Sequence, residues 1–409
     1  MSFLKLQFNI KFMRFSILFN HFIRNIGLPS YLVILSIGCG LMACETSDSG
    51  ESERIIEETR KEFAPDKRVA LFDISYDGNV LSGETNLPEA LNVLKNRFEE
   101  SGKEYTDQVT VLPQMDGRDF GVVTISVANI RSQPKHSAEL ATQATMGTPL
   151  NVLKQDGTWY LVQTPDQYIS WVDAAGIQLM SQEEFQEWDQ SEKAIFTSLI
   201  GYVYANESED EMVSDLTAGN VLEVVASSSE YYQVKLPDGR SGYVKYELME
   251  PLRDWIASRD PSHQNLISTA KSMMGVPYLW GGTSIKGVDC SGFTKTIFYL
   301  NGQIIPRDAS QQIHEGEEVD NNKQWDNLQV GDLLFFGRPA TADGPERVIH
   351  VGMWVGDNSF IHSRGRVRVS SFDPESENYD EYELGRYLRT KRILGKESQN
   401  ILAVEKFIR

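Results

Sequence analysis

One stretch of the chain repeats itself without a gap, and that repeat fixes two like folding units in its middle. Gly147-Thr-Pro-Leu-Asn-Val-Leu-Lys aligns with Gly219-Asn-Val-Leu-Glu-Val-Val-Ala, and Trp159-Tyr-Leu-Val-Gln-Thr-Pro-Asp with Tyr231-Tyr-Gln-Val-Lys-Leu-Pro-Asp. Trp171-Val172 aligns with Tyr243-Val244, and Glu139-Leu140 with Glu211-Met212. The offset is 72 throughout (147 to 219, 159 to 231, 171 to 243). Short alternating runs separated by Asp-Gly and Pro-Asp turns predict a small β-barrel in each copy, over 126–180 and 195–250.

These two copies resemble bacterial SH3-like domains. Residues 181–194 between them read as a helical connector. Ahead of them, 66–125 reads as a small α/β unit. It has strands at Val69–Ile74, Val109–Leu112 and Gly121–Val127, and a helix over Pro88–Glu99 with Ala90, Leu91, Val93, Leu94 and Phe98 at helical spacing. Residues 44–65 are polar and charged and read as a linker, partly helical. The remainder, 251–409, is a different domain. It has expected helices over Ser262–Met274 and Ser291–Leu300, and strands at Asp332–Phe336, Val348–Val355 and Ser359–His362. The fold class expected for the whole is α+β.

Residues 1–43 contain no Asp or Glu and four basic residues, Lys5, Lys11, Arg14 and Arg24, and they include an apolar run from Leu28 to Ala43. A basic flank, a short apolar run and small residues at its end read as a secretory signal peptide. The run ends Leu41-Met42-Ala43-Cys44, which resembles a bacterial lipobox, where the chain is cut before a lipid-modified cysteine. The resemblance implies lipidation at Cys44 and an exported lipoprotein, held to a membrane by that lipid and facing the periplasm or cell envelope. Removing four positive charges takes the net charge from −19 to −23. This acidity excludes nucleic acid as a partner, and a mean hydropathy of −0.34 excludes a polytopic membrane protein. Three cysteines are too few for a disulfide scaffold. With Cys39 removed and Cys44 capped, Cys290 is the one free thiol in an oxidising compartment. Such a thiol is either buried and inert or present for its chemistry.

The context of Cys290 favours chemistry. A glycine-rich loop, Tyr278-Leu-Trp-Gly-Gly-Thr-Ser-Ile-Lys-Gly-Val-Asp, precedes it, and Phe293, Ile297 and Leu300 follow at helical spacing. Cys290 is therefore expected at a helix N-terminus, where unpaired N–H groups and the macrodipole favour a thiolate. A cysteine nucleophile needs a base. His350 lies on a strand whose alternation points it away from Ile349, Val351, Met353 and Val355, and His362 follows a turn at Asp357-Asn358. With facing residues summing to about 715, His362 falls near Met353 and within reach of His350 after a bulge or small register change. Zinc held by Cys290, His350 and His362 lacks a supporting Cys-x-x-Cys or close His pair, and no Gly-x-Ser-x-Gly supports a serine hydrolase. No metal or cofactor is implied.

Four stretches in order, Asp289-Cys-Ser-Gly-Phe293, Gly331-Asp-Leu-Leu-Phe-Phe336, His350-Val-Gly352 and Phe360-Ile-His362, resemble the NlpC/P60 family of cell-wall cysteine peptidases, which have a papain-like fold. The resemblance covers about 262–395. It implies Cys290 as nucleophile, His350 as general base and His362 as its orienting partner, with the Cys290 N–H and the Tyr278 hydroxyl facing the oxyanion. The domain order resembles a subgroup of the family, the dipeptidyl-peptidase VI type, in which SH3-like domains close one end of the cleft. That resemblance implies hydrolysis of the γ-D-glutamyl–L-diamino acid bond in murein peptides with a free N-terminal L-Ala. The substrate ammonium then meets Asp289 or Glu139. Tyr168 adds a hydroxyl or aromatic contact, where the second repeat has Arg240, and Ser291 and Trp280 line the pocket. Asp308 belongs to a Pro306-Arg-Asp-Ala stretch whose last position is often Ser in the family. Two other readings stay open: a cell-wall binding or scaffold lipoprotein with weak or no hydrolase activity, and an endopeptidase on intact peptidoglycan.

Overall fold

The computed structural model describes residues 45–408, and the signal-like segment and Cys44 lie outside them. The first unit consists of α1 (Glu45–Phe63), β1 (Phe72–Asp77), β2 (Val80–Thr85), α2 (Pro88–Glu100) and β3 (Thr106–Val111). β1 runs antiparallel to β2 and β3 runs parallel to it, because the α2 crossover reverses the chain between β2 and β3. Leu81, Ala90, Leu94 and Phe98 are fully enclosed at its centre. Within the segment read as a linker over 44–65, residues 49–64 are instead part of this unit. Ile55 and Ile56 of α1 are buried in the same core, with Ala64 just beyond the helix. These few apolar side chains share one face, and the charged majority of the helix obscures them in the composition.

The first barrel contains β4 (Phe120–Val123), β5 (Val127–Arg131), β6 (Leu140–Thr145), β7 (Pro149–Asp156), β8 (Trp159–Gln163), β9 (Ile169–Asp173) and β10 (Ile177–Met180). β4 pairs with β7 and β10, so the strand assigned from sequence to the α/β unit belongs to the barrel, which starts near 120 rather than 126. α3 (Gln182–Gln190) follows, its N-terminus held by a reciprocal Ser181–Glu184 capping box. The second barrel contains β11 (Lys193–Phe196), β12 (Ile200–Tyr204), β13 (Met212–Thr217), β14 (Val221–Ser227), β15 (Tyr231–Lys235), β16 (Ser241–Lys245) and β17 (Met249–Pro251). The sheet orders are β10-β4-β7-β8-β9-β5-β6 and β17-β11-β14-β15-β16-β12-β13, one pattern used twice. Adding 72 to the bounds of β6, β8 and β9 gives those of β13, β15 and β16.

The last domain opens with α4 (Leu252–Ser258) and α5 (His263–Ser272), then a short hairpin of β18 (Thr283–Ser284) and β19 (Gly287–Val288). α6 (Cys290–Leu300), β20 (Gln303–Ile304) and α7 (Ala309–Gln312) follow. The sheet is built from β21 (Glu317–Asp320), β22 (Leu333–Arg338), β23 (Arg347–Gly356), β24 (Ser359–Arg364), β25 (Arg366–Ser371) and β26 (Tyr387–Arg392), with α8 (Glu381–Gly385) before the last. β27 (Leu402–Ala403) returns to pair with β20. The strand order is β21-β26-β22-β23-β24-β25. Both faces are covered, which accounts for the unbroken apolar run Leu333–Phe336. Leu333, Phe335, Val351 and Met353 pack with Phe293 and Ile297 of α6. Leu334, Phe336, Trp354 and Phe360 form a separate cluster.

The repeat also explains how the units dock. Gly147, in the turn before β7, has φ +81°, and a Cβ there would lie 2.3 Å from the Val221 carbonyl of the second barrel. Its equivalent Gly219 has φ +88°, and a Cβ there would lie 2.6 Å from the Tyr299 ring on α6. The same turn thus seats each barrel on the next domain. Gly147→Ala is expected to cost about 1–3 kcal/mol, the range for a strained backbone that cannot relax. Unfolding in urea checks this through a lowered midpoint.

Candidate active site

Asp289 organises the start of α6. Its carboxylate accepts from the Gly292 N–H at 2.7 Å as the helix N-cap, and from the Gly281 N–H at 2.9 Å, which pins the glycine-rich loop. Arg307, 1% exposed, pairs with it at 2.6 Å and also donates to Ser291 Oγ at 3.0 Å. Cys290 is the first residue of α6, as the spacing predicts, and its thiol receives the N–H groups of Val351 and Ser291. The expected bias toward thiolate does not follow from this position. Burial, and then the Asp289 charge, push the thiol up to about 12, outweighing those N–H groups and Arg307.

The two histidines meet. β23 and β24 pair Met353 with Ile361 and Trp354 with Phe360, with a bulge after Trp354. Continuing that register sets His362 opposite Gly352, one residue from the position a regular turn predicts. His350 Nε2 and His362 Nδ1 are 2.7 Å apart. Burial, then Arg386, Arg364 and Arg368, bring His350 down to about 3, and burial and His350 hold His362 well below the usual histidine range. Among the described residues no hydrogen bond joins the Cys290 thiol to the His350 ring. The thiol instead meets the peptide N–H that directly follows His350. Such pairs commonly tighten only once substrate is bound. The ligand atoms of His350, His362 and Glu383 lie within 4.8 Å of one another. Glu383 is already held through two 2.7 Å bonds to Arg386, and Arg364 stands 3.5 Å away, an unfavourable field for a cation.

Every substrate-side residue named from sequence lines one cavity of about 320 Å³ beside Cys290. These are Tyr278, Trp280, Asp289, Ser291 and Asp308 from the last domain, with Glu139 and Tyr168 from the first barrel. Glu139 Oε1 accepts from the exposed Trp280 indole at 2.6 Å. Gly281 has φ +79°, and a Cβ there would lie 2.2 Å from the Leu140 carbonyl, so the loop and barrel touch backbone to backbone. Gln143 extends this seam by accepting from the Thr283 N–H at 2.9 Å. The first barrel thus supplies part of the cavity's lining through Ser132, Glu139, Leu140, Ala141 and Tyr168. Tyr278 is half-buried, and burial, Cys290 and Asp289 raise its phenol, so it stays a neutral donor. The carboxylate with room for a further cation is Glu139, since Asp289 already has Arg307 and two N–H partners.

Other residues at the site carry no sequence signal. Arg68 comes from the first unit and donates to Asp308 at 2.7 Å and Ser310 Oγ at 2.9 Å, while Tyr168 donates to Asp308 at 3.4 Å. Arg68 and Val69, the latter read as the start of a strand, run alongside the first barrel, with the Ile169 N–H bonded to the Arg68 carbonyl at 2.6 Å and the Gln163 side-chain amide donating to the Val69 carbonyl at 3.0 Å. Sheet pairing begins only at Phe72. Ala309 supplies no hydroxyl. Ser310, the next residue, also lines the cavity.

The NlpC/P60 family model matches residues 275–388, and a bacterial SH3 domain model matches 126–178. The chain is 33% identical over 233 residues to a gamma-D-glutamyl-L-lysine dipeptidyl-peptidase of Bacillus cereus, covering 55% of this chain and 67% of that protein. It is 27% identical over 272 residues to dipeptidyl-peptidase 6 of Lysinibacillus sphaericus, covering 63% and 93% respectively. The crystal structure of an NlpC/P60 family protein from Bacillus cereus superposes with a TM-score of 0.56 at 25% identity, covering 67% of this chain and 99% of that one.

The raised thiol predicts how Cys290 reacts without substrate. Below its pKa the thiolate fraction grows about tenfold per pH unit. Iodoacetamide alkylation of Cys290, corrected with a Cys290→Ser blank, should therefore climb steadily from pH 6 to pH 9. A rate already level below pH 7 would reveal a resident thiolate.

Proposed function

The chain belongs to the NlpC/P60 family of cysteine peptidases, and on that premise we propose that it hydrolyses the γ-D-glutamyl–L-diamino acid bond of murein peptides bearing a free N-terminal L-Ala. The observation that carries this reading is the presence of Glu139 and Tyr168, from the first barrel, in the same cavity as Cys290. A cleft walled off beside the nucleophile admits a short N-terminal segment and excludes chains that continue. Glu139 supplies the counter-charge for the L-Ala ammonium, and the name of the Bacillus cereus relative supports the γ-D-glutamyl specificity.

In this reading Cys290 Sγ attacks the γ-carbonyl of D-Glu while His350 takes the thiol proton. The Tyr278 hydroxyl and the Cys290 N–H donate to the oxyanion. His350 returns the proton to the departing amine of the diamino acid, leaving a thioester on Cys290. Water, deprotonated by His350, then releases L-Ala-γ-D-Glu and restores the thiol. A neutral imidazole is the form this step needs, and burial keeps His350 neutral.

We further propose that the protein is exported and anchored through lipid on Cys44. The acid-free basic flank and apolar run of residues 1–43 and the Leu-Met-Ala-Cys ending support this. Cys44→Ala should move the protein from the membrane fraction to the soluble fraction of cells expressing it. Retention in the membrane would refute the anchor.

The substrate reading is tested with L-Ala-γ-D-Glu-meso-diaminopimelate and its L-Lys counterpart. Wild type should release the free diamino acid from at least one, and Cys290→Ala from neither. Acetylating the L-Ala amine removes a charged contact worth about 1.5–3 kcal/mol and should lower kcat/KM by about 10–100-fold or more. Equal rates on free and acetylated peptide would sink the walled-cleft reading in favour of an endopeptidase. No release by wild type would favour a binding or scaffold role.

A further inference from the structure

The hydrogen bonds behind the two histidines continue past His362. Its Nε2 lies 3.0 Å from Ser370 Oγ, and that hydroxyl lies 3.1 Å from Asp380 Oδ2. Exposure is 5% at His350, 0% at His362, 1% at Ser370 and 7% at Asp380, so the partners must come from within the chain itself. We infer that Asp380, acting through Ser370, sets the tautomers of both imidazoles and thereby leaves His350 Nδ1 unprotonated to receive the thiol proton.

The argument is a count of protons. Asp380 is ion-paired with Arg364 at 3.5 Å and Arg368 at 3.2 Å, and a carboxylate can only accept. The single proton of Ser370 must therefore bridge to Asp380. Ser370 Oγ is left as an acceptor for His362, so His362 carries its proton on Nε2. A neutral ring has one N–H, and its Nδ1 is then a lone pair. That lone pair must accept from His350 Nε2 across the 2.7 Å bond. His350 thus holds its proton on Nε2, and Nδ1 is bare. Burial and the surrounding guanidinium groups, which disfavour a second proton on either ring, support the neutral count. The other oxygen of Asp380 is occupied by the Glu383 N–H at 3.1 Å, as the N-cap of α8. Glu383 does not substitute for the chain, because its Oε1 is 3.9 Å from His350 Nε2, beyond hydrogen-bond range. When His350 becomes doubly protonated during the reaction, its Nε2–H still points along the chain toward the Asp380 charge. Asp380 and Ser370 are positioning residues here, as the orienting acid is in other nucleophile–histidine sites.

The inference rests on His350 being the base proposed above, but its test does not. In full-length protein labelled with ¹⁵N-histidine, long-range ¹H–¹⁵N spectra without substrate should show His350 and His362 as Nε2–H tautomers, assigned with His350→Gln and His362→Gln. An Nδ1–H signal for His350 overturns the inference whether or not any peptide is cut. Nε2–H at both residues in a protein that cleaves nothing would leave it standing and remove only the substrate reading. Asp380→Asn keeps a helix cap but can donate to Ser370, which reverses the chain and moves the His350 proton to Nδ1. It should lower kcat about 10–100-fold with KM unchanged. Ser370→Ala should do the same, and Ser370→Thr, which retains the hydroxyl, should restore activity. Wild-type kcat in both Asp380→Asn and Ser370→Ala overturns the inference. Should either variant fail to fold, the wild-type spectrum decides alone.

Discussion

The buried pair between Asp289 and Arg307 is the joint on which the site turns. One carboxylate caps α6, ties down the loop at Gly281 and fixes a guanidinium that also holds Ser291. Losing one partner of such a pair strands the other charge away from water, at a cost of about 3–5 kcal/mol. The damage would not stay local. The Gly281 tether seats the loop against Leu140, and both residues line the cavity. The same charge sits next in chain to Cys290 and disfavours its thiolate. Structural order at the helix start and ionisation of the nucleophile therefore pull in opposite directions, and order has won in the resting state.

The two barrels show how one fold comes to serve two ends. Their strand orders coincide, yet only the first faces the cavity. Glu139 meets Trp280, and Tyr168 meets Asp308. At the equivalent of Tyr168 the second barrel has Arg240, which donates to the Thr124 carbonyl of the first barrel at 3.1 Å and so helps bind the barrels together. The first unit adds a third support, since Arg68 fixes Asp308. That ion pair is about a third exposed and contributes at most about 1 kcal/mol to folding. Its effect is to orient a cavity-lining carboxylate more than to hold the chain together.

Much of this was legible in the sequence because it rests on local pattern. The barrels follow from a gapless repeat, α6 from apolar spacing after a glycine-rich loop, and the histidine pair from strand alternation across a short turn. What was hidden depends on tertiary encounter. α1 read as linker because its few apolar side chains are outnumbered by charge, and only the finished core shows that they share a face. Arg68, Arg307, Ser370 and Asp380 are unremarkable as letters and acquire roles from partners far away in the chain. The one chemical expectation that failed, a thiolate favoured by the helix N-terminus, did so because the macrodipole contributes about 0.3–1 kcal/mol. Full burial beside a carboxylate outweighs that.

A neutral thiol is consistent with where the proposed function would place this enzyme. Oxidation of cysteine proceeds through the thiolate, so a permanently ionised Cys290 outside the cytoplasm would be lost to sulfenic and higher acids. A thiol that is buried, protonated and hydrogen-bonded to backbone N–H groups resists that loss. It then depends on a base that is neutral and correctly tautomerised when substrate arrives. The same burial that raises the thiol also strips His350 of its charge. Nucleophile and base are thus both neutral at rest, and proton transfer between them becomes favourable only when a carbonyl is present to take up the sulfur's charge.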